Sequence, residues 1–282
     1  MKNILVATDF SNNAYSALYY ATQLLASNPC TFHILNVYDE LTPIHGKKAK
    51  LFGNKNQLEK IQAESKEKLT KTAHRIVLDT GNPKHLFKTI SKKGNLSKII
   101  TKTVDNEEID LAVMGNKGLT EASDIFFGSN TIKVVDQIDT CPVFAIPGEM
   151  QYKEPNEIAF ITDFKKGCTE KSIAPLLFLA SLTKASIRVM HITEKEILNN
   201  EQEAYKKQLM HCLKDIEHSF HRMQAFDDKA KVIDVFLKKL KVDVYAMVNH
   251  KHNLFEKLTH EPVIKDVSMY ADIPFLILPY QE

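Results

Sequence analysis

The chain repeats itself. Residues 3–10 read NILVATDF and residues 157–164 read EIAFITDF. Each is an apolar, β-branched run ending in Thr-Asp-Phe, the pattern of a buried strand that stops at a polar turn. Each precedes apolar residues at helical spacing. After the first come Ala14, Ala17, Leu18, Ala21, Leu24 and Leu25, with Ser11 as N-cap. After the second come Thr169, then Ile173, Leu176, Leu177 and Ala180. Further along, IDLAVMGNKG at 109–118 is matched by VDVYAMVNHK at 242–251, and CPVFAIP at 141–147 by IPFLILP at 273–279. The landmarks keep one order in both halves. That order implies a tandem duplication of a domain of about 130 to 150 residues. The polar stretch GEMQYKEPN, 148–156, has no apolar period and separates the copies. Domains over 1–148 and 155–282 are therefore expected.

Within the first copy, strands are expected near 3–8, 31–37, 84–91, 110–114 and 143–146. Helices are expected near 12–27, 56–78, 95–105 and 129–138. The long helix carries Leu58, Ile61, Leu69, Ala73, Ile76 and Val77 on one face, and Gly81 and Pro83 stop it. Gly94-Asn95 opens the next, with Asn95 as cap. In the second copy strands are expected near 157–162, 186–192, 216–223, 243–248 and 274–278. Strands that alternate with helices pair in parallel through right-handed crossovers. Their apolar runs suit a sheet covered on both faces. The fold class is α/β, with two tandem Rossmann-like domains.

Composition narrows the function classes. The formal net charge is +2, with acids interspersed among the bases, which gives no footprint for nucleic acid or an anionic membrane. No apolar stretch approaches the ~20 residues of a membrane span. MKNILVATDF lacks the apolar core of a signal peptide. Cys30, Cys141, Cys168 and Cys212 form no C-x-x-C pair, which fits a reducing, cytoplasmic compartment. His250, His252 and His260 cluster in the second copy, but no cysteine or carboxylate joins them at a familiar ligand spacing. They are read as solvated or capping histidines, and no specific metal site is expected there.

The chain has only nine glycines, and three of them fall in MGNKGLTEASDIFFGSNT, residues 114–131. Open α/β sheets bind ligands at the carboxyl ends of their strands. Glycine there lets the backbone turn sharply and approach a ligand without a Cβ in the way. Gly128-Ser129-Asn130 leads into the helical run TIKVVDQI, whose free N–H groups and dipole favour an anion. The spacing is neither a P-loop nor the dinucleotide G-x-G-x-x-G. No Ser-His-Asp set, zinc motif or carboxylate pair emerges by spacing.

Gly115-x2-Gly118-x9-Gly128-Ser129-Asn130 resembles the ATP-binding signature of the universal stress protein family. NILVATDFS resembles that family's first strand and CPVFAIP its last, and the likeness spans nearly the whole chain as two tandem domains. The resemblance implies a five-stranded parallel sheet in the order 3-2-1-4-5 with helices on both faces, an adenine nucleotide alpha hydrolase-like fold. It implies a stress-response or regulatory role, with ATP or AMP as ligand in some members. Carried over, Ala7, Thr8 and Asp9 lie near ribose and phosphates. Asp9 reaches a nucleotide-bound magnesium, directly or through water, or else serves as an acid at the helix start. Val37 presents backbone to the adenine. Met114, Gly115, Lys117, Gly118, Gly128, Ser129, Asn130 and Thr131 wrap ribose and phosphates.

The second copy departs from the signature. Gly115 corresponds to Val248, Gly118 to Lys251, Gly128 to His260 and Ser129 to Glu261. Bulk and a carboxylate stand where phosphate would go, so no nucleotide is expected there. Three readings follow. In the first, one live site binds ATP or AMP and occupancy regulates partner choice. In the second, the protein is a nucleotide-independent scaffold in which strands 143–146 and 274–278 pair within the chain, covering two sheet edges. A homodimer and unidentified protein partners are compatible with either of these readings. In the third, the protein is a slow ATPase with Asp9 holding the metal.

Overall fold

In a computed structural model, residues 1–39, 55–116, 129–164, 169–193, 197–224, 229–249 and 272–281 are described. The first repeat runs β1 (Lys2–Ala7), α1 (Asn12–Leu24), β2 (Cys30–Tyr38), α2 (Lys55–Thr80), β3 (His85–Lys93), α3 (Leu96–Asn106), β4 (Leu111–Gly115), α4 (Ser129–Gln137) and β5 (Val143–Ile146). The second runs β6 (Glu157–Thr162), α5 (Glu170–Thr183), β7 (Ser186–Thr193), α6 (Asn200–Cys212), β8 (His218–Gln224), α7 (Lys229–Lys239), β9 (Val244–Asn249) and β10 (Phe275–Pro279). Strand order is β3-β2-β1-β4-β5 in the first and β8-β7-β6-β9-β10 in the second. Both are the order 3-2-1-4-5. β1 lies parallel to β2 and β4, and β2 parallel to β3. β6 lies parallel to β7 and β9, β7 to β8, and β9 to β10.

The sequence explains the layers. Ile4, Leu5 and Val6 of β1 and Phe32, Ile34 and Leu35 of β2 are all buried, so both faces of the sheet are covered. α1 turns Ala14, Ala17, Leu18, Ala21 and Leu24 inward, one apolar stripe at helical period. Ser11 caps it by accepting from the Ala14 N–H, and Asn95 caps α3 by accepting from the Lys98 N–H. Thr169 caps α5 through the Ser172 N–H. α1 ends at Leu24, short of residue 27. Asn28 N–H turns back onto the Leu25 carbonyl, and Pro29 cannot continue a helix. α2 stops where Gly81, at φ 56°, donates its N–H to the Val77 carbonyl.

The chain divides into two compact units. The described residues of the first are 1–39, 55–116, 129–137 and 146–152; those of the second are 138–145 and the described ones from 153 onward. The second unit takes most of β5 because Val143, Phe144 and Ala145 pair antiparallel with Ile277, Leu276 and Phe275 of β10. No helix among the described residues is long and apolar enough to cross a membrane.

Candidate functional site

Both repeats end their first strand in the same turn. Phe10 and Phe164 take positive φ, 66° and 56°, a region bulky side chains rarely enter. Each is held by the preceding threonine: Phe10 N–H donates to Thr8 Oγ1 at 3.0 Å, and Phe164 N–H to Thr162 Oγ1 at 3.1 Å. In the first repeat Asp9 completes the turn. Its Oδ1 accepts from the Ser11 N–H at 3.0 Å and from Ser11 Oγ at 2.5 Å. The turn projects Thr8 and Asp9 beyond the carboxyl end of β1.

A cleft of about 310 Å³ opens there in the first unit. Ala7, Thr8 and Asp9 line it from β1, Val37, Tyr38 and Asp39 from β2, and Met114 and Gly115 from β4. Ala14 contributes from α1, and Asn130, Thr131 and Lys133 from α4. Gly94, Asn95, Leu96 and Ser97 line the remaining side, where β3 passes into α3. With strand order β3-β2-β1-β4, the trough crosses four strand ends, about 14 Å at ~4.8 Å per strand. Its volume is in the range of small-molecule sites. Thr131 Oγ1 donates to the Gly115 carbonyl at 3.2 Å and pins the first turn of α4 to the end of β4. Asn116 N–H, one residue on, donates to the Ile146 carbonyl at 2.8 Å.

The motif residues Ala7, Thr8, Asp9, Val37, Met114, Gly115, Asn130 and Thr131 therefore meet in one cleft. Ser129 begins α4. Lys117, Gly118 and Gly128 lie outside the described residues, as do His250, His252 and His260 of the second repeat. Among the described residues, no three His, Cys, Asp or Glu side chains gather as metal ligands. Two wall segments escape the motif. Tyr38-Asp39 simply extends β2 past Val37. Gly94–Ser97 was legible only as a helix start, and sheet order alone brings it to the cleft. The charge of Lys133 was also missed. It stands three residues after Asn130, the spacing that shares a helix face.

The second repeat differs at the matching points. Val248, in the place of Gly115, is buried at the end of β9. The Asp163 carbonyl accepts from Gln202 Nε2 of α6 at 2.9 Å. Phe164 is buried and stacks on His191 with ring centroids 4.6 Å apart.

Comparison with known proteins agrees with this architecture. The model of the universal stress protein family matches residues 1–147. Universal stress protein A homolog 1 of Coxiella burnetii is 26% identical over 145 residues, which is 51% of this chain and 95% of that protein. Among solved structures, a universal stress protein from Archaeoglobus fulgidus covers 99% of this chain and 97% of its own, with TM-score 0.74 and 15% identity. That full-length likeness is one of fold. The family match spans more than half of the chain and includes every strand that walls the cleft: this protein belongs to the universal stress protein family.

Proposed function

We propose that this protein is a cytoplasmic stress-response regulator that binds ATP or AMP in the cleft of its first domain. The domains follow the sequence repeat, 1–148 and 155–282. The single observation that carries the reading is the convergence of Thr8, Asp9, Val37, Met114, Gly115 and the start of α4 on one cleft at the strand ends. The trough is long enough for a base at one end and phosphates at the other. Gly115 brings no Cβ into the cleft wall beside Met114, and Lys117, Gly118, Gly128 and Ser129 complete the phosphate wrap by family likeness. Asp9, which lines the cleft, would hold magnesium carried by the nucleotide, and the ion would neutralise phosphate charge beside the carboxylate. The second domain, with Val248 for Gly115, is structural or partner-binding and takes no nucleotide.

Titration calorimetry of the intact protein with ATP, ADP and AMP tests this. Wild type should bind at least one of them at or below millimolar ligand. Gly115→Val should abolish the binding and keep the fold, since the second repeat already carries valine at that place. An absence of heat with all three nucleotides, or undiminished binding by Gly115→Val, would refute the reading.

A second reading, a nucleotide-independent scaffold, draws on the antiparallel pairing of β5 with β10. Backbone pairing of this kind covers strand edges whether or not a ligand is present. Nucleotide that co-purifies with the protein would decide for the first reading.

A further inference from the structure

A buried polar chain that the glycine motif does not include holds the floor of the cleft. Asn36 precedes the cleft residue Val37 on β2. Its Nδ2 donates to the Thr8 carbonyl at 2.7 Å. Its Oδ1 accepts from Ser65 Oγ of α2 at 2.7 Å, and Ser65 Oγ lies 2.8 Å from Ser91 Oγ of β3. Asn36 and Ser65 are 7% and 4% exposed. One chain of hydrogen bonds thus links β3, α2 and β2 to Thr8. Just past Thr8 the backbone leaves the sheet, with Phe10 at positive φ. A carbonyl at that exit is served by a side chain.

The second repeat meets the same demand with a different residue. Asn3 pairs with Thr31 and its counterpart Glu157 with Ser186, which puts His191 in the place of Asn36. His191 Nδ1–H donates to the Thr162 carbonyl at 3.0 Å. The donor is retained while its identity changes, so the donor is what the turn requires. The two sites differ in the second arm. Asn36 is tied to Ser65 and through it to Ser91, whereas His191 Nε2 has no hydrogen-bond partner among the described residues and its ring lies against Phe164.

We infer that Asn36, anchored by Ser65, is a positioning residue: it fixes the Thr8–Asp9 turn in the cleft and thereby sets the affinity for adenine nucleotide. This rests on the nucleotide-binding reading above. Asn36 lies beneath the lining and acts through Thr8.

The test is Asn36→Asp in the full chain, with ATP affinity measured against pH. An ionised carboxylate keeps the shape of the amide but cannot donate, and it faces the Thr8 oxygen with its own lone pairs. A protonated one donates again, and burial raises the pH at which it does so. At about pH 8 the variant should bind ATP about tenfold more weakly than wild type, and the ratio should close toward about pH 5.5. Taking the ratio to wild type removes the titration of ATP itself. A purely structural role would lower the melting temperature and leave the ratio near one throughout. Ser65→Ala keeps the donor and loosens its anchor, so a smaller, pH-independent weakening is expected. If Asn36→Asp does not fold, Ser65→Ala decides, and an unchanged Kd overturns the inference. Wild type binding ATP with a ratio of one at every pH overturns the inference alone. Wild type binding no adenine nucleotide removes both readings.

Discussion

The turn after the first strand has one structural duty in both repeats and a second, at the cleft, in the first repeat only. Thr8 and Thr162 both steady a phenylalanine at positive φ, which costs about 1–2 kcal/mol of backbone strain. Valine matches threonine in shape and removes the acceptor. Thr8→Val and Thr162→Val should each lower stability by about 1–2 kcal/mol, read from urea denaturation. Only Thr8→Val should also weaken nucleotide binding, because Thr8 lines the cleft. Equal loss of binding in both variants would mean that the second domain takes part. At this scale the sequence was partly legible. Gly115 and Thr-Asp-Phe are short-range signals that stand at or just past the ends of β4 and β1, while Val37 came from the family resemblance. The second duty of Asp9, accepting from Ser11, matches its alternative role at the start of the first helix. Asn36 gave no signal: a lone asparagine in an apolar strand acquires meaning only when Ser65 and Thr8 arrive beside it.

Helices and strands were easier to read, because each carries its own start and stop. Ser11, Asn95 and Gly81 mark ends through chemistry local to a few residues. The start of α3 shows what such reading omits. Gly94 has φ 146°, and its N–H donates to the Tyr38 carbonyl at 3.0 Å. A Cβ added there would meet only Ile99, at an ordinary 3.5 Å. Space is therefore available, and the dihedral is the obstacle. Gly94→Ala should cost about 1–3 kcal/mol in chemical denaturation. It should also weaken the ligand, since residues 94–97 wall the cleft. A neutral substitution would show that the β3–α3 passage relaxes freely. The sequence disclosed the glycine and the cap. It could not disclose the cleft wall, because β3 reaches the site through its pairing with β2 and not through proximity along the chain.

At the scale of the whole molecule, three buried histidines and one half-buried one shape the response to acid. His33, His85, His191 and His221 are all held below the ordinary imidazole value, and burial is the main cause in each. The Glu107 carboxylate opposes this at His33, where Nδ1 lies 3.6 Å from Oε2, and Lys88 reinforces it. At His85 the carbonyls of Leu25 and Asn28 oppose it, and Lys84 reinforces it. At His191 the Thr162 carbonyl and Asp163 oppose it, while Arg222 and Lys206 reinforce it. Arg188 reinforces it at His221. With folded-state values below the unfolded value of about 6.5, the unfolded chain binds more protons as pH falls through that point. Stability is then full above about pH 7 and declines below it, by at most about 1.4 kcal/mol per pH unit for each histidine. Asp243 acts in a separate window. Burial alone would raise its carboxyl, but hydrogen bonds from the Lys153 side chain and the Asn156 and Glu157 N–H groups outweigh burial and hold it low. Its contribution persists above about pH 4 and is lost only in stronger acid. The melting temperature should therefore fall steadily between about pH 7 and pH 5, before carboxylates protonate, and fall again below about pH 4. A melting temperature that holds level from pH 8 to pH 5 and drops only below 4 would show that the fold accommodates charged imidazoles. Full or partial burial of the four rings would then not be what limits its acid stability.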